Sequence, residues 1–150
     1  MLAAKPPPTP FMIPSPESQP SPLPVRDWIL VVDDEQPING MLVNALTSDQ
    51  LEVVTASNGA EALQALETHT AEPVLVLTDV LMPGMDGLTL ARKLLSRLTR
   101  SKIVIMSGHL TDVSWWPADL RELVFLAKPF RMSEVSSLID IARAGFNREG

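Results

Sequence analysis

The sequence predicts an α/β fold, a doubly wound parallel sheet of five strands, and three observations carry that prediction. Five short apolar runs alternate with segments of helical period, three of those runs are apolar on both faces, and the connections leave no room for hairpins. Strands covered on both sides and joined by helix-length crossovers build a sheet with right-handed connections and helices on each face.

The elements follow in chain order. Residues 1–26 hold nine of the fourteen prolines, in stretches such as "KPPPTP", so this segment cannot build helix or sheet interior and is expected to be an extended, mobile tail or linker. Pro7 to Pro10 has a P-x-x-P spacing that could dock on an aromatic groove, although a linker or leader without a specific partner is the favoured reading. The strand-like runs are "WILVV" (28–32), "LEVVTA" (51–56), "VLVLT" (74–78), "KIVIMS" (102–107) and "LVFLA" (123–127). Ile38, Met41, Leu42, Ala45 and Leu46 recur at helical spacing, with Pro37 in a first turn where its missing N–H costs nothing. Asn58 and Glu61 resemble a capping box opening a second helix through Leu63 and Leu66. Leu88, Ala91, Leu94, Leu95 and Leu98 mark a third helix after Asp86-Gly87, and Val135, Leu138, Ile139 and Ala142 a final one to about Phe146. Alternation calls for a helix in "HLTDVSWWPADLRE" too, but Trp115, Trp116 and Pro117 spoil the period, which predicts a short or irregular fourth helix. One domain over 27–146, with a tail at 147–150, accounts for the pattern.

Composition narrows the function. A 45% hydrophobic chain of 150 residues can bury one real core. The net charge of -6 argues against a broad nucleic-acid or anionic-membrane surface, because both need clustered Lys and Arg. With no cysteine, disulfides and thiolate metal sites are excluded, and no apolar run approaches membrane-spanning length. A cytoplasmic location is expected.

Doubly wound sheets bind ligands outside the carboxyl ends of their strands, at the point where strand order reverses. The first run ends in Asp33, Asp34 and Glu35, the third in Asp79, the fourth in Ser107-Gly108 and the fifth in Lys128-Pro129. Converging carboxylates repel, and they stay ionised together only around a cation; a hard, oxygen-seeking divalent ion, magnesium above all, fits that need. Lys128 is then read as the holder of an incoming anion, not simply as a counter-charge, with Ser107 able to donate a hydrogen bond to the same group. A carboxylate beside magnesium, facing a cationic and hydroxylic clamp, can accept a phosphoryl group. Each residue alone has an ordinary explanation. An isolated Asp caps the following helix, and an isolated Lys usually snorkels at the surface. One site explains all of them at once.

The segments "ILVVDDE", "LTDVLMPGMDGL", "IVIMSGH" and "FLAKPF", in this order and spacing, resemble the receiver domain of bacterial two-component response regulators over about residues 27–146. That resemblance implies a flavodoxin-like sheet of strand order 2-1-3-4-5. It also implies that Asp79 is the phosphoacceptor, that Asp33, Asp34 and Asp79 hold Mg2+ with the Leu81 backbone carbonyl as a further ligand, and that Ser107 and Lys128 engage the phosphoryl group. Lys128-Pro129 is expected to be cis, and Phe125 matches the family's aromatic switch position, for which a plain core phenylalanine is the alternative. Leu81 and His109 lie where the family varies, beside the pocket. The implied partners are a histidine kinase or histidine phosphotransfer protein and a downstream protein, with the chain a monomer or a phosphorylation-dependent dimer. Its catalysis is then confined to its own phosphorylation and dephosphorylation.

Competing readings are a phosphate-independent interaction module on the same fold and a small-molecule phosphohydrolase. The short connections disfavour the second, since such enzymes usually add a substrate-covering cap. Neither G-x-G-x-x-G nor G-x-x-x-x-G-K occurs, which disfavours nucleotide binding. No output domain is expected after residue 150, and a stand-alone protein and the receiver of a hybrid kinase both suit the sequence.

Overall fold

Continuous burial along the central strands decides the architecture. In the computed structural model, which describes residues 26–82, 84–108, 117–120 and 122–149, five strands and four helices alternate. They are β1 (Asp27–Val32), α1 (Gln36–Leu46), β2 (Leu51–Ala56), α2 (Gly59–Thr68), β3 (Leu75–Asp79), α3 (Gly87–Arg97), β4 (Lys102–Ser107), β5 (Val124–Ala127) and α4 (Met132–Glu149). The strands form one parallel sheet in the order β2-β1-β3-β4-β5, as the resemblance implied.

Side chains on a strand point alternately to the two faces, so a strand covered on both sides must be apolar throughout. In β1, Ile29 and Val31 pack with Leu42 of α1 and with Val135 and Ile139 of α4, while Leu30 and Val32 pack with Ala62 of α2 and with Leu90 and Leu94 of α3. The same division holds in β3 and β4, where Leu77 and Met106 face one layer and Val76 and Ile105 the other. These three central strands are buried along nearly their whole length. The edge strands β2 and β5 are only partly buried.

Local chemistry sets the helix ends. Pro37 occupies the first turn of α1, where no N–H is needed. The Asn58 side chain accepts a hydrogen bond from the Glu61 N–H at 2.9 Å and opens α2, and Asp86 does the same for α3 through the Thr89 N–H at 2.7 Å. Between β4 and β5 the described residues hold a single 3-10 turn, Ala118–Leu120, anchored by the fully buried Leu120. Most of the segment in which an irregular fourth helix was expected, residues 109–116 and 121, lies outside the described residues. His109, Trp115 and Trp116 lie outside the described residues, as does the Pro-rich segment 1–25.

Strand order reverses between β1 and β3, since the chain leaves β1 toward β2 on one side and reaches β3 on the other. The carboxyl ends of these two strands therefore open the crevice in which the site lies.

Candidate functional site

Asp33 follows β1 directly and prolongs its pairing, its N–H donating to the Ala56 carbonyl at 3.0 Å. The residue is fully buried. Its Oδ1 accepts the Glu35 N–H at 2.8 Å, which closes a tight acidic turn, and its Oδ2 accepts from Lys128 Nζ at 2.7 Å. Asp34 is exposed beside it. Asp79, the last residue of β3, is buried; its Oδ2 accepts from Lys128 Nζ at 3.2 Å and its Oδ1 from the Leu81 N–H at 3.4 Å. The carboxylates of Asp33, Asp34 and Asp79 have ligand atoms within 4.8 Å of one another.

Lys128 reaches this point because β5 ends at Ala127 and the Lys128 N–H donates to the Ser107 carbonyl at 3.0 Å, holding the tips of β4 and β5 together. The Lys128-Pro129 bond is cis, as expected. The sequence reading kept this ammonium for an anion, whereas the geometry also makes it the counter-charge of two buried acids, with Glu35 Oε1 at 3.9 Å. The physical reason is proximity: two desolvated carboxylates attract the one ammonium that the sheet delivers to them.

The charges perturb one another. Burial pushes the Asp79 carboxyl above its ordinary range; the Lys128 ammonium pulls it down and the neighbouring Asp33 pushes it up again, leaving a net rise. Burial alone would lower the pKa of Lys128, but the hydrogen bond and charge of Asp33, reinforced by Asp79, raise it. The ammonium therefore stays charged. A carboxylate held under such stress gains by meeting a cation.

A cleft of about 210 Å³ opens over these groups, lined by Asp34, Glu35, Asp79, Leu81, Gly108 and Lys128. Leu81 is 59% exposed at its edge. Ser107 is buried at the end of β4, one residue from the cleft wall at Gly108. Phe125 sits opposite Ile105 on β5, half-buried against the core layer beneath α2 and α3. Five of the seven sequence-derived residues thus line or enter the acidic cluster, Ser107 stands at its rim, and Phe125 lies back along the neighbouring strand.

Two residues that the sequence reading passed over support this site. Asn39 of α1 is buried and its Nδ2 donates to the Asp33 carbonyl at 2.8 Å. Gly87 opens α3 so close to β3 that a Cβ there would lie 1.9 Å from the Asp79 carbonyl oxygen, so no other residue fits without moving the backbone that carries Asp79. Its N–H donates to the Val80 carbonyl at 2.8 Å and closes the intervening loop. The Gly87 signal was visible as Asp-Gly before an apolar helix, but nothing in the sequence showed what it touched.

Comparison with known proteins agrees with this geometry. The family model for the response regulator receiver domain matches residues 29–140. The chain is 34% identical over 126 residues to the DNA-binding transcriptional regulator NtrC of Escherichia coli K12, covering 83% of this chain and 26% of that protein. It therefore spans about a quarter of the length of that relative. It is 32% identical over 117 residues to sporulation initiation phosphotransferase F of Bacillus subtilis, covering 77% of this chain and 92% of that one. Among solved structures, a response regulator receiver domain protein from Clostridium thermocellum superposes with a TM-score of 0.69 at 29% identity, covering 82% of this chain and 96% of its own. With the sheet order, the acidic cluster and these matches in agreement, the chain belongs to the response regulator receiver domain family of two-component systems.

Proposed function

We propose that this chain is a phosphoryl-accepting switch in a two-component system or phosphorelay, with Asp79 as the acceptor. One observation carries the reading: Lys128 Nζ lies 2.7 Å from Asp33 and 3.2 Å from Asp79 at the floor of an open acidic cleft. Receiver domains are signalling domains, not turnover enzymes, and a relative named a phosphotransferase is matched over nearly its whole length.

The donor is a phosphohistidine on a histidine kinase or a histidine phosphotransfer protein. An Asp79 carboxylate oxygen attacks the phosphorus, the O–P bond forms as the P–N bond breaks, and the imidazole leaves with the bonding pair and takes up a proton. Lys128 is within reach of the new phosphoryl oxygens and exchanges part of its pairing with Asp79 for them. Ser107 donates to the same group from the tip of β4.

The three clustered carboxylates are hard oxygen donors and fit Mg2+, with the Leu81 backbone carbonyl as a further ligand. When bound, that ion offsets the charge of the acids and the phosphoryl oxygens. Asp34, the exposed member, gives the site its opening to solvent.

The phosphoryl group adds about 1.5 to 2 negative charges at the β3 tip. Drawn toward it, Ser107 and Lys128 shift the β4–β5 rim, and Phe125, two positions before Ala127, couples that shift to the surface that a downstream protein reads. The test is incubation with Mg2+ and a small acyl phosphate. One phosphoryl group per chain is expected on the wild type, none on Asp79→Asn and none in excess chelator. Label that persists on Asp79→Asn overturns the assignment, and partner binding equal in the two proteins under phosphorylating conditions would establish a phosphate-independent module instead.

A further inference from the structure

We propose that Asn39 is a positioning residue for the acidic turn Asp33–Asp34–Glu35, holding it in the geometry that takes a divalent cation; this rests on the reading of Asp33, Asp34 and Asp79 as cation ligands. The helix α1 buries two residues, Leu42 and Asn39. Leu42 is core, at 0% exposure in the layer formed with α4. An amide at 3% exposure in the same helix needs another reason, because burying a polar group is unfavourable unless hydrogen bonds compensate.

The compensation is half complete. Asn39 Nδ2 donates to the Asp33 carbonyl at 2.8 Å, while its buried Oδ1 has no partner among the described residues. An apolar residue of the same size would fill the space without an orphaned acceptor. What it could not supply is the donor. That donor acts on the peptide joining Asp33 to Asp34, two of the three clustered acids.

The turn is held at two points by Asn39 and at a third by Asp33 itself. The Asn39 backbone N–H donates to the Glu35 carbonyl at 3.3 Å, and Asp33 Oδ1 accepts the Glu35 N–H. Asn39 thus ties both ends of the acidic turn to the first turn of α1. Without its side chain, the Asp33–Asp34 peptide loses the restraint on its carbonyl, and the two carboxylates are held less firmly at their separation. Groups that orient metal ligands in this way typically affect affinity by tenfold or more.

The experiment measures Mg2+ binding to the full chain by calorimetry without phosphodonor, alongside thermal melting in chelator. Asn39→Leu is expected to bind Mg2+ roughly tenfold more weakly, with a melting temperature within about 5 °C of wild type. Asn39→Ala loses the donor without adding charge, and it serves as the second variant, with Mg2+ affinity as its criterion. Leu42→Ala, a cavity in the same helix, is expected to melt lower and to bind Mg2+ as the wild type does. Wild-type affinity in both Asn39 variants overturns the proposal, and so does an equal loss of affinity in Leu42→Ala, which would reduce the effect to helix packing. Asp33→Asn separates the underlying reading: if the wild type takes up no Mg2+ that this variant loses, the cation site itself fails.

Discussion

Two carboxylates at opposite ends of β3 show what each end of the sheet is built for. Before the strand begins, Glu72 accepts hydrogen bonds from the Thr99 N–H at 2.9 Å, the Arg100 N–H at 3.0 Å and the hydroxyls of Thr99 and Ser101. Burial would raise its pKa, but these donors outweigh it and hold Glu72 below the ordinary glutamate value. At the other end Asp79 is pushed up, because burial and Asp33 outweigh its one ammonium partner. The first carboxylate is satisfied and fastens the start of β4 to the start of β3. The second is stressed and gains by meeting a cation. Around Glu72 the same end of the sheet is fastened further: Arg143 pairs with Asp27 at 2.8 Å, Arg100 lies 4.0 Å over the Phe146 ring, and Trp28 Nε1 donates to the Ala71 carbonyl at 2.9 Å. Satisfied contacts are concentrated at one end of the strands and unfavourable charge at the other, a division that lets the site carry that charge without unfolding the domain.

The strongest way to break this contrast is to remove the ammonium. Lys128→Met leaves Asp33 and Asp79 desolvated without a counter-charge, and urea unfolding at neutral pH in chelator should show a loss of about 3 kcal/mol. Millimolar Mg2+ should restore part of it, as a cation taking over the lysine's role. At the opposite end, Glu72→Ala should cost about 2 kcal/mol in the same assay, because the N–H groups of Thr99 and Arg100 lose their acceptor. That contribution also has a pH signature. A folded-state pKa below the unfolded value of 4.5 gives stability that is present above that pH and lost as pH falls through the folded value. The difference between wild type and Glu72→Ala should therefore shrink in acid, and a difference that widens there would refute the assignment. The smallest effect has the opposite sign: Asp79→Asn should stabilise the domain by about 1 kcal/mol in chelator and, with Mg2+ and phosphodonor supplied, should take up no phosphate.

Most of the fold was legible because its signals are local. The helix starts at Pro37, Asn58 and Asp86 are written within one turn of chain, and the short apolar runs announce the strands. Even so, the capping box was only partly as read, since Glu61 reaches back to the Ser57 N–H at 2.7 Å and not to that of the cap residue Asn58. The acids and the lysine of the site were legible as strand-end residues of unusual type. Asn39 was not, because its spacing marks only a helix face. Nothing in the sequence singled out Glu72, since its partners lie 27 to 29 residues away.

By itself, then, the chain determined its periodicities, its caps and the residue types that end each strand, since these depend on neighbours a few positions apart. Only the tertiary structure decided which of them meet. Lys128 finds Asp33 across 95 residues and Asp79 across 49 because the parallel sheet sets β1, β3, β4 and β5 side by side and delivers their ends to one rim. The same packing settled what opposes each buried face, and so turned an amide on α1 and a glycine at the start of α3 into parts of the site. Periodicity reports the face a residue occupies; the partner on that face is chosen by packing between distant segments.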